Sequence, residues 1–559
     1  MEKYKLTLVD AGDSAVSIRF PEEISEQVNR EVIYYLDCIK SEMAEGKLSG
    51  VFDVIPSYAA ILLCFDPLVT DGETIKNEVE EIILNNISKE RLSHDKNIIE
   101  IPVMYGGKYG PDLENVSKHT GLSQEEIIRL HSETLYPVYM IGFLAGFPYL
   151  GGMNPSIATP RLDTPRLSVP AGSVGIAGHQ TGIYPIDSPG GWQIIGRTPL
   201  KLYNPESSSP FLLSPGDQIK FVPIDKDAFD SYITGSDAPF DAKEKRASEE
   251  SPVEVAPRKA SIRISFSGPL TTIQDFGRHG YMDKGLSSCG AMDSLELSRL
   301  NVMLGNDPKE AGLEATFITP RIEFLKDTVF AVSGFDHPIK AKTGDVFESF
   351  TMQKGIRTYF AFAGGIDVKP VLGSKSTDIK NGIGGLNGKK LASGDELIIS
   401  DAAPTDFSDV KTISDLSIKV FSDESPITLY ITSGPQYSDI SEDGIKSFLN
   451  CEYKVSASSD RMGIRFDGPA LSFADGKDGN IITDGLSPGA IQITPSGQPI
   501  LMNVDAQTTG GYSKPFYLAS ISKQKVAQLR PGDKVRFVLI KTADAVSLYR
   551  EEFSSIFSK

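Results

Sequence analysis

Cysteine, histidine and tryptophan are scarce in this chain: four, six and one among 559 residues. Cys38, Cys64, Cys289 and Cys451 lie far apart and form no CxxC pair, which argues against a structural zinc site. No metal site is expected. No long apolar run exists either. The apolar stretch Val138 to Met153 is uncharged, contains Gly and Pro and is shorter than the ~20 residues a spanning helix needs. The opening MEKYKLTLVD has no basic-then-apolar signal pattern, so a cytoplasmic, reducing location is expected. Positive charge is in deficit: 56 Lys and Arg against 74 Asp and Glu leave a net charge of −18. A field of that sign repels nucleic acid and anionic membrane, so neither is an expected partner. The chain also lacks GxxxxGK[ST], HExxH and EF-hand patterns, and a Met-Lys-Met biotin-attachment site. Any ATP site is therefore of a kind other than a P-loop.

What is present begins with length: 559 residues exceed one core, so several domains are expected. Strand-like runs at Leu6 to Val9, Val16 to Phe20 and Ala59 to Phe65 alternate with helical spacing from Ile24 to Ile39 and Ile75 to Ile83. This predicts a small α+β domain over residues 1–95 with both helices on one sheet face. Ser123 and Glu126 form a capping box for a helix to about Glu133. From Gly142 to Asp217, Gly and Pro punctuate short β-type runs, the pattern of a barrel with shaped loops, assigned to residues 96–226. A charged, polar linker follows at 227–260. The second half is β-rich over 261–402 and 416–545, with a lesser boundary between them and a helical tail at 546–559.

The halves repeat three elements in order. Val169-Pro170-Ala171-Gly172, Gln180-Thr181-Gly182-Ile183-Tyr184 and Pro215-Gly216-Asp217 have counterparts in Thr494-Pro495-Ser496-Gly497, Thr508-Thr509-Gly510-Gly511-Tyr512 and Pro531-Gly532-Asp533. Common ancestry of two barrels is expected. Aligned on Thr-Gly-x-Tyr, His179 stands opposite Gln507, and Lys514 has no basic counterpart.

Glycine-rich loops let backbone N–H groups approach a ligand, and polar side chains cluster in them. His179, in a Gly-flanked loop, is a candidate proton donor or acceptor, with Gln180, Thr181 and Arg197 as binding groups. Trp192 reads as a core anchor. In the second half, Asp275 and Arg278 either pair across a turn or hold an anionic substrate. Asp293 fits a helix N-cap. Asp460 and Arg461 form a compact charged turn. Gln507, Thr509, Tyr512 and Lys514 line the second-half loop, where Lys514 would neutralise a phosphate or carboxylate.

GFLAGFPYLGG, PAGSVGIAGHQTGIYP and DSPGGWQIIGRTP resemble the allophanate hydrolase subunit 1 family, also described as the B subunits of 5-oxoprolinase. GPLTTIQDFGRHGY, AGGIDVKPVLGSKSTD, SSDRMGIRFDGP, GAIQITPSGQPI and DAQTTGGYSKP resemble allophanate hydrolase subunit 2, or the C subunits of 5-oxoprolinase. The resemblance implies a fusion of the two, with an α+β, β-rich fold: a small N-terminal domain and then tandem cyclophilin-like β-barrels. It implies ATP-dependent opening of 5-oxoproline to glutamate together with a separate A subunit, with magnesium beside the ATP. A homo-oligomer is compatible with it. Among relatives it also implies a carboxyltransferase acting on urea or a similar amide, with biotin on a separate carrier, and a histidine-kinase inhibitor. For the first reading, His179, Lys514 and Asp275 are the expected catalytic residues. Gln180, Thr181, Arg197, Arg278, Asp460, Arg461, Gln507, Thr509 and Tyr512 are the expected substrate or nucleotide contacts.

Overall fold

The computed structural model describes residues 6–86, 98–234, 259–401, 411–412 and 425–557. Its N-terminal unit is a four-stranded antiparallel sheet. Helices Glu26–Ala44 and Gly72–Asn86 cover one face of it, as the sequence spacing predicts. Strand Ala60–Phe65 is buried along its whole length. Ile61, Leu63 and Phe65 enter the core beneath the helices. Leu62 and Cys64 face the other way and pack with Leu486, Met502 and Tyr517 of the C-terminal region. An uninterrupted apolar run is what a strand covered on both faces requires.

Two closed seven-stranded barrels follow, one in each half. The first runs from Ile98–Tyr105 to Gln218–Pro223, the second from Ile427–Ser433 to Lys534–Leu539. Numbered by position in each barrel, both rings read first, seventh, second, third, fifth, fourth, sixth. In both, the first and last strands pair in parallel and the other neighbours are antiparallel. Identical ring order is a stronger sign of a shared template than the sequence repeats. It also corrects two of them: Val169-Pro170-Ala171-Gly172 precedes the fourth strand of its barrel, whereas Thr494-Pro495-Ser496-Gly497 follows the fourth strand of the other. His179 occupies the turn between the fourth and fifth strands, Ser173–Ala177 and Gln180–Ile183, whereas Gln507 precedes the sixth strand, Thr509–Leu518. The counterpart of the His179 turn is the one around Thr494 to Gln498, so the Thr-Gly-x-Tyr alignment joins non-equivalent strands. The Pro-Gly-Asp turns do correspond, since each leads into the seventh strand.

Between the barrels, a four-stranded and a six-stranded sheet share one apolar core that includes Ile264, Phe324, Phe330 and Phe360. Asp293 caps helix Ser294–Met303 by accepting from the Glu296 N–H, and Ser123 caps Gln124–Glu133. Trp192 is buried against Phe147 and Tyr184. The expected linker begins as helix instead: Lys226–Thr234 is helical because Phe229 is buried beside Tyr109. Residues 235–258, and the lesser boundary near 402–415 apart from 411–412, lie outside the described residues. The tail forms helix Thr542–Phe557.

Candidate functional site

The first barrel, the middle sheets and the second barrel meet at one junction made of loops. The Gly146 N–H donates to Lys284 O (2.8 Å) and the Cys289 N–H to Val504 O (2.9 Å). Ser287 Oγ donates to Ala506 O (2.8 Å), and Lys380 Nζ to Phe143 O (3.3 Å). Two glycines permit the approach. A Cβ on Gly142 would lie 2.2 Å from Thr509 Oγ1, and one on Gly285 would lie 2.3 Å from Leu144 O. Phe143 and Cys289 both adopt left-handed backbone, with φ of 66° and 54°. For a non-glycine residue this costs about 1–3 kcal/mol, a strain that concentrates at functional sites.

The junction is also charged. Lys380 is reachable by solvent yet ringed by protein, and desolvation holds its ammonium below the usual lysine range against the opposing pull of Asp378 and Asp505. Burial, then Asp505 and Asp378, push the Cys289 thiol well up, which favours its neutral form. Arg278 is 1% exposed. Its Nε donates to Val371 O and its Nη2 to Ser376 O, both at 3.0 Å. Its Nη1 has no partner among the described residues, and neither has Tyr203 Oη, whose ionisation Arg278 and Asp378 both influence. Asn381 Oδ1 and Thr509 Oγ1 are likewise unpartnered. Each such buried group costs about 1–3 kcal/mol, and a bound ligand is one way to satisfy it. Together these groups could hold a small molecule bearing a negative charge and an amide.

Other residues brace this arrangement. Buried Asp275 accepts from Ser374 Oγ (2.7 Å), Ser376 Oγ (2.5 Å), Lys375 N–H (2.6 Å) and Gly277 N–H (2.8 Å). The expected Asp275–Arg278 pair does not form: both grip the 371–376 loop rather than each other. Arg461 donates to Asp505 from Nε (2.8 Å) and Nη2 (3.0 Å), to Gly290 O (2.7 Å), and to Glu314 Oε1. Burial would raise the Glu314 carboxyl, but Arg461 and Arg357 hold it below the usual range. These partners take four of the five Arg461 N–H groups, and the side chain orients Asp505.

The remaining expected residues lie elsewhere. Lys514 is 1% exposed and donates to Asp484 Oδ2 (3.0 Å), which also meets Arg19 (3.4 Å), while Asp484 Oδ1 accepts from Ser57 Oγ (3.3 Å). It joins the second barrel to the N-terminal sheet and is not free for a phosphate, because a buried ammonium needs a close carboxylate. His179 is exposed in its turn. Gln180 donates to Tyr58 Oη. Thr181 donates to Gly175 O (3.0 Å) and meets His131 Nε2 (2.9 Å). Asp460 closes its own turn through the Met462 and Gly463 N–H groups. Gln507 is half-buried, and Tyr512 is exposed opposite Asn480. Arg197 borders a separate cavity. Lys380, Asp378, Cys289 and Phe143 escaped sequence reasoning, although the AGGIDVKPVLGSKSTD and GFLAGFPYLGG motifs contain Asp378 and Phe143.

Comparison with known proteins is consistent with this division. Residues 6–213 match the family model for carboxyltransferase domain, subdomain C and D, and residues 284–539 match subdomain A and B. The chain is 45% identical over 231 residues to the B subunit of 5-oxoprolinase from Bacillus subtilis, covering 40% of this chain and 94% of that protein. It is 33% identical over 304 residues to the C subunit of 5-oxoprolinase from Escherichia coli, covering 52% of this chain and 95% of the relative. A crystal structure of TTHA0988 superposes with a TM-score of 0.77 at 28% identity, covering 94% of this chain and all of that one.

Proposed function

We propose, from the premise that this chain belongs to the carboxyltransferase-domain family and joins in one polypeptide regions like the B and C subunits of 5-oxoprolinase, that it is the fused B and C component of an ATP-dependent 5-oxoprolinase. The reaction opens 5-oxo-L-proline to L-glutamate with a separate A subunit. The observation that carries the reading is the loop junction that holds Lys380 against Phe143 O and leaves the buried Arg278 Nη1 without a partner among the described residues.

5-Oxoproline is a carboxylate with a lactam. Lys380 supplies a cation for the carboxylate, and Arg278 Nη1 a donor for an oxygen on which negative charge develops. Asn381 Oδ1 accepts from the lactam N–H. Asp275 and Arg461 hold the loops that carry these groups. ATP, with magnesium, supplies the phosphoryl group that activates the amide. This chain offers it no P-loop, so its contacts are cationic side chains. His179 is exposed and is available for contact with the A subunit.

The carboxyltransferase description of the matching models favours a second reading, transfer of carboxyl from a biotinylated carrier to urea or a similar amide at the same junction. One experiment separates them. The full chain, reconstituted with the A subunit, is offered ATP and either 5-oxoproline or urea, with and without a biotinylated carrier. Glutamate release with ATP hydrolysis is expected, falling at least a hundredfold in Lys380→Ala at unchanged melting temperature. Turnover of urea only, and only with the carrier, would establish the second reading.

A further inference from the structure

A cavity of about 440 Å³ lies on the first barrel, built from loop residues there and from helix Lys226–Thr234. Its volume falls within the range of small-molecule sites. Three cations border it, Lys108, Arg197 and Lys201, and no Asp or Glu among the described residues does, in a chain whose net charge is −18. A local cluster of one sign against that background focuses a positive field.

The cations are mounted differently. Arg197 Nε donates to Ala171 O (2.8 Å), which fixes the plane of the guanidinium. The Ala171 loop is itself held, since its N–H donates to Asp187 Oδ1 (2.7 Å). Gly172 has φ +81, and a Cβ there would lie 2.3 Å from Thr198 O, so glycine is needed for the loop to close this tightly. Lys108 rests over the Tyr109 ring at 4.8 Å, and Tyr109 in turn packs on Phe229 with ring centroids 4.7 Å apart. Lys201 is exposed at the rim. The remaining wall is apolar, made by Pro199, Leu200 and Ile233, the last 63% exposed.

We propose that this cavity is a ligand site for a phosphate-bearing small molecule with an apolar, planar body, of the nucleoside polyphosphate class. A planar guanidinium held in place binds phosphate oxygens in a fork, and two lysines add charge along a polyphosphate chain. The apolar wall covers the body of the ligand. The choice of a nucleotide over other phosphorylated molecules rests on the ATP-dependent reading above; the preference for an anion does not.

The test is calorimetric titration of the full chain alone, using MgATP, MgADP and inorganic tripolyphosphate. Saturable nucleotide binding is expected, weakened at least tenfold in Arg197→Ala and in Lys201→Glu. Lys201 is exposed, so its variant folds, and an unchanged melting temperature verifies this. Tripolyphosphate is expected to bind at least tenfold more weakly than MgATP, and equal binding overturns the nucleotide class. Absence of nucleotide binding, or binding indifferent to both cation variants, overturns the site. Failure of the two readings is separable. Nucleotide bound here with no 5-oxoproline turnover in the complex refutes the function and keeps the site, whereas turnover without such binding refutes the site alone.

Discussion

At the residue scale, charge behaves as burial dictates. Lys514 was expected to meet a ligand, yet it is closed in with Asp484, Arg19 and Ser57. Desolvation lowers the Lys514 ammonium, while Lys514 and Arg19 keep the Asp484 carboxyl low against its own burial. Removing one partner of such a pair leaves the other charge buried and uncompensated. Lys514→Met is therefore expected to destabilise the chain by about 3–5 kcal/mol, and Lys514→Met with Asp484→Leu to recover much of the loss. Denaturant unfolding of both variants decides it, and a double variant as unstable as the single would contradict the pairing argument. Sequence showed that Lys514 stands beside a Gly-Gly-Tyr run; it did not show Asp484, thirty residues away, turning to meet it.

Strand Val51–Pro56 makes an equivalent contact at the scale of an element. Asp53 Oδ1 accepts from the Met282 N–H (3.0 Å), tying the N-terminal sheet to the short Met282–Lys284 helical turn. Burial raises the Asp53 carboxyl from 3.8 to about 7, against the backbone donors that lower it. Between these two values the native state binds more protons than the unfolded state, so this group makes stability fall as pH rises from about 4 to 7. Asp53→Asn keeps the Oδ1 acceptor and abolishes the titration. Its melting temperature is expected to exceed that of the parent at pH 8, and its decline between pH 4 and 7 to be shallower. Identical slopes in thermal melts across that range would show that Asp53 is ionised throughout. Elements of this kind were largely legible: helices declared themselves by spacing and caps at Ser123 and Asp293. Helix Lys226–Thr234 did not, because its reason for existing, Phe229 against Tyr109, is a contact distant in sequence.

Over the whole molecule, the halves are not beads on a string. One face of the N-terminal sheet lies on the second barrel, through Leu62 and Cys64 against Leu486, Met502 and Tyr517. Leu62→Arg places a charge in that contact while leaving Ile61, Leu63 and Phe65 in the domain's own core. Separation of the N-terminal unit from the second barrel is expected, at a cost of about 3–5 kcal/mol. Small-angle scattering should report a larger radius of gyration, and an unchanged radius would mean that the interface tolerates the charge.

What is local or periodic could be read directly from the residues: a small α+β domain, β-rich halves built on a repeated template, the family, and the loops where polar groups gather. These follow from spacing, caps and glycine, which act within a few residues. Which loops meet is a matter of long-range packing. Packing withdrew Lys514 into an interface, paired Arg461 with carboxylates and turned Asp275 into a loop anchor. It left Arg278 with an open donor among the described residues and set Lys380 against Phe143 O, a contact that no local pattern marks. A side chain's availability depends on what burial and pairing leave over, and those partners come from segments far apart along the chain.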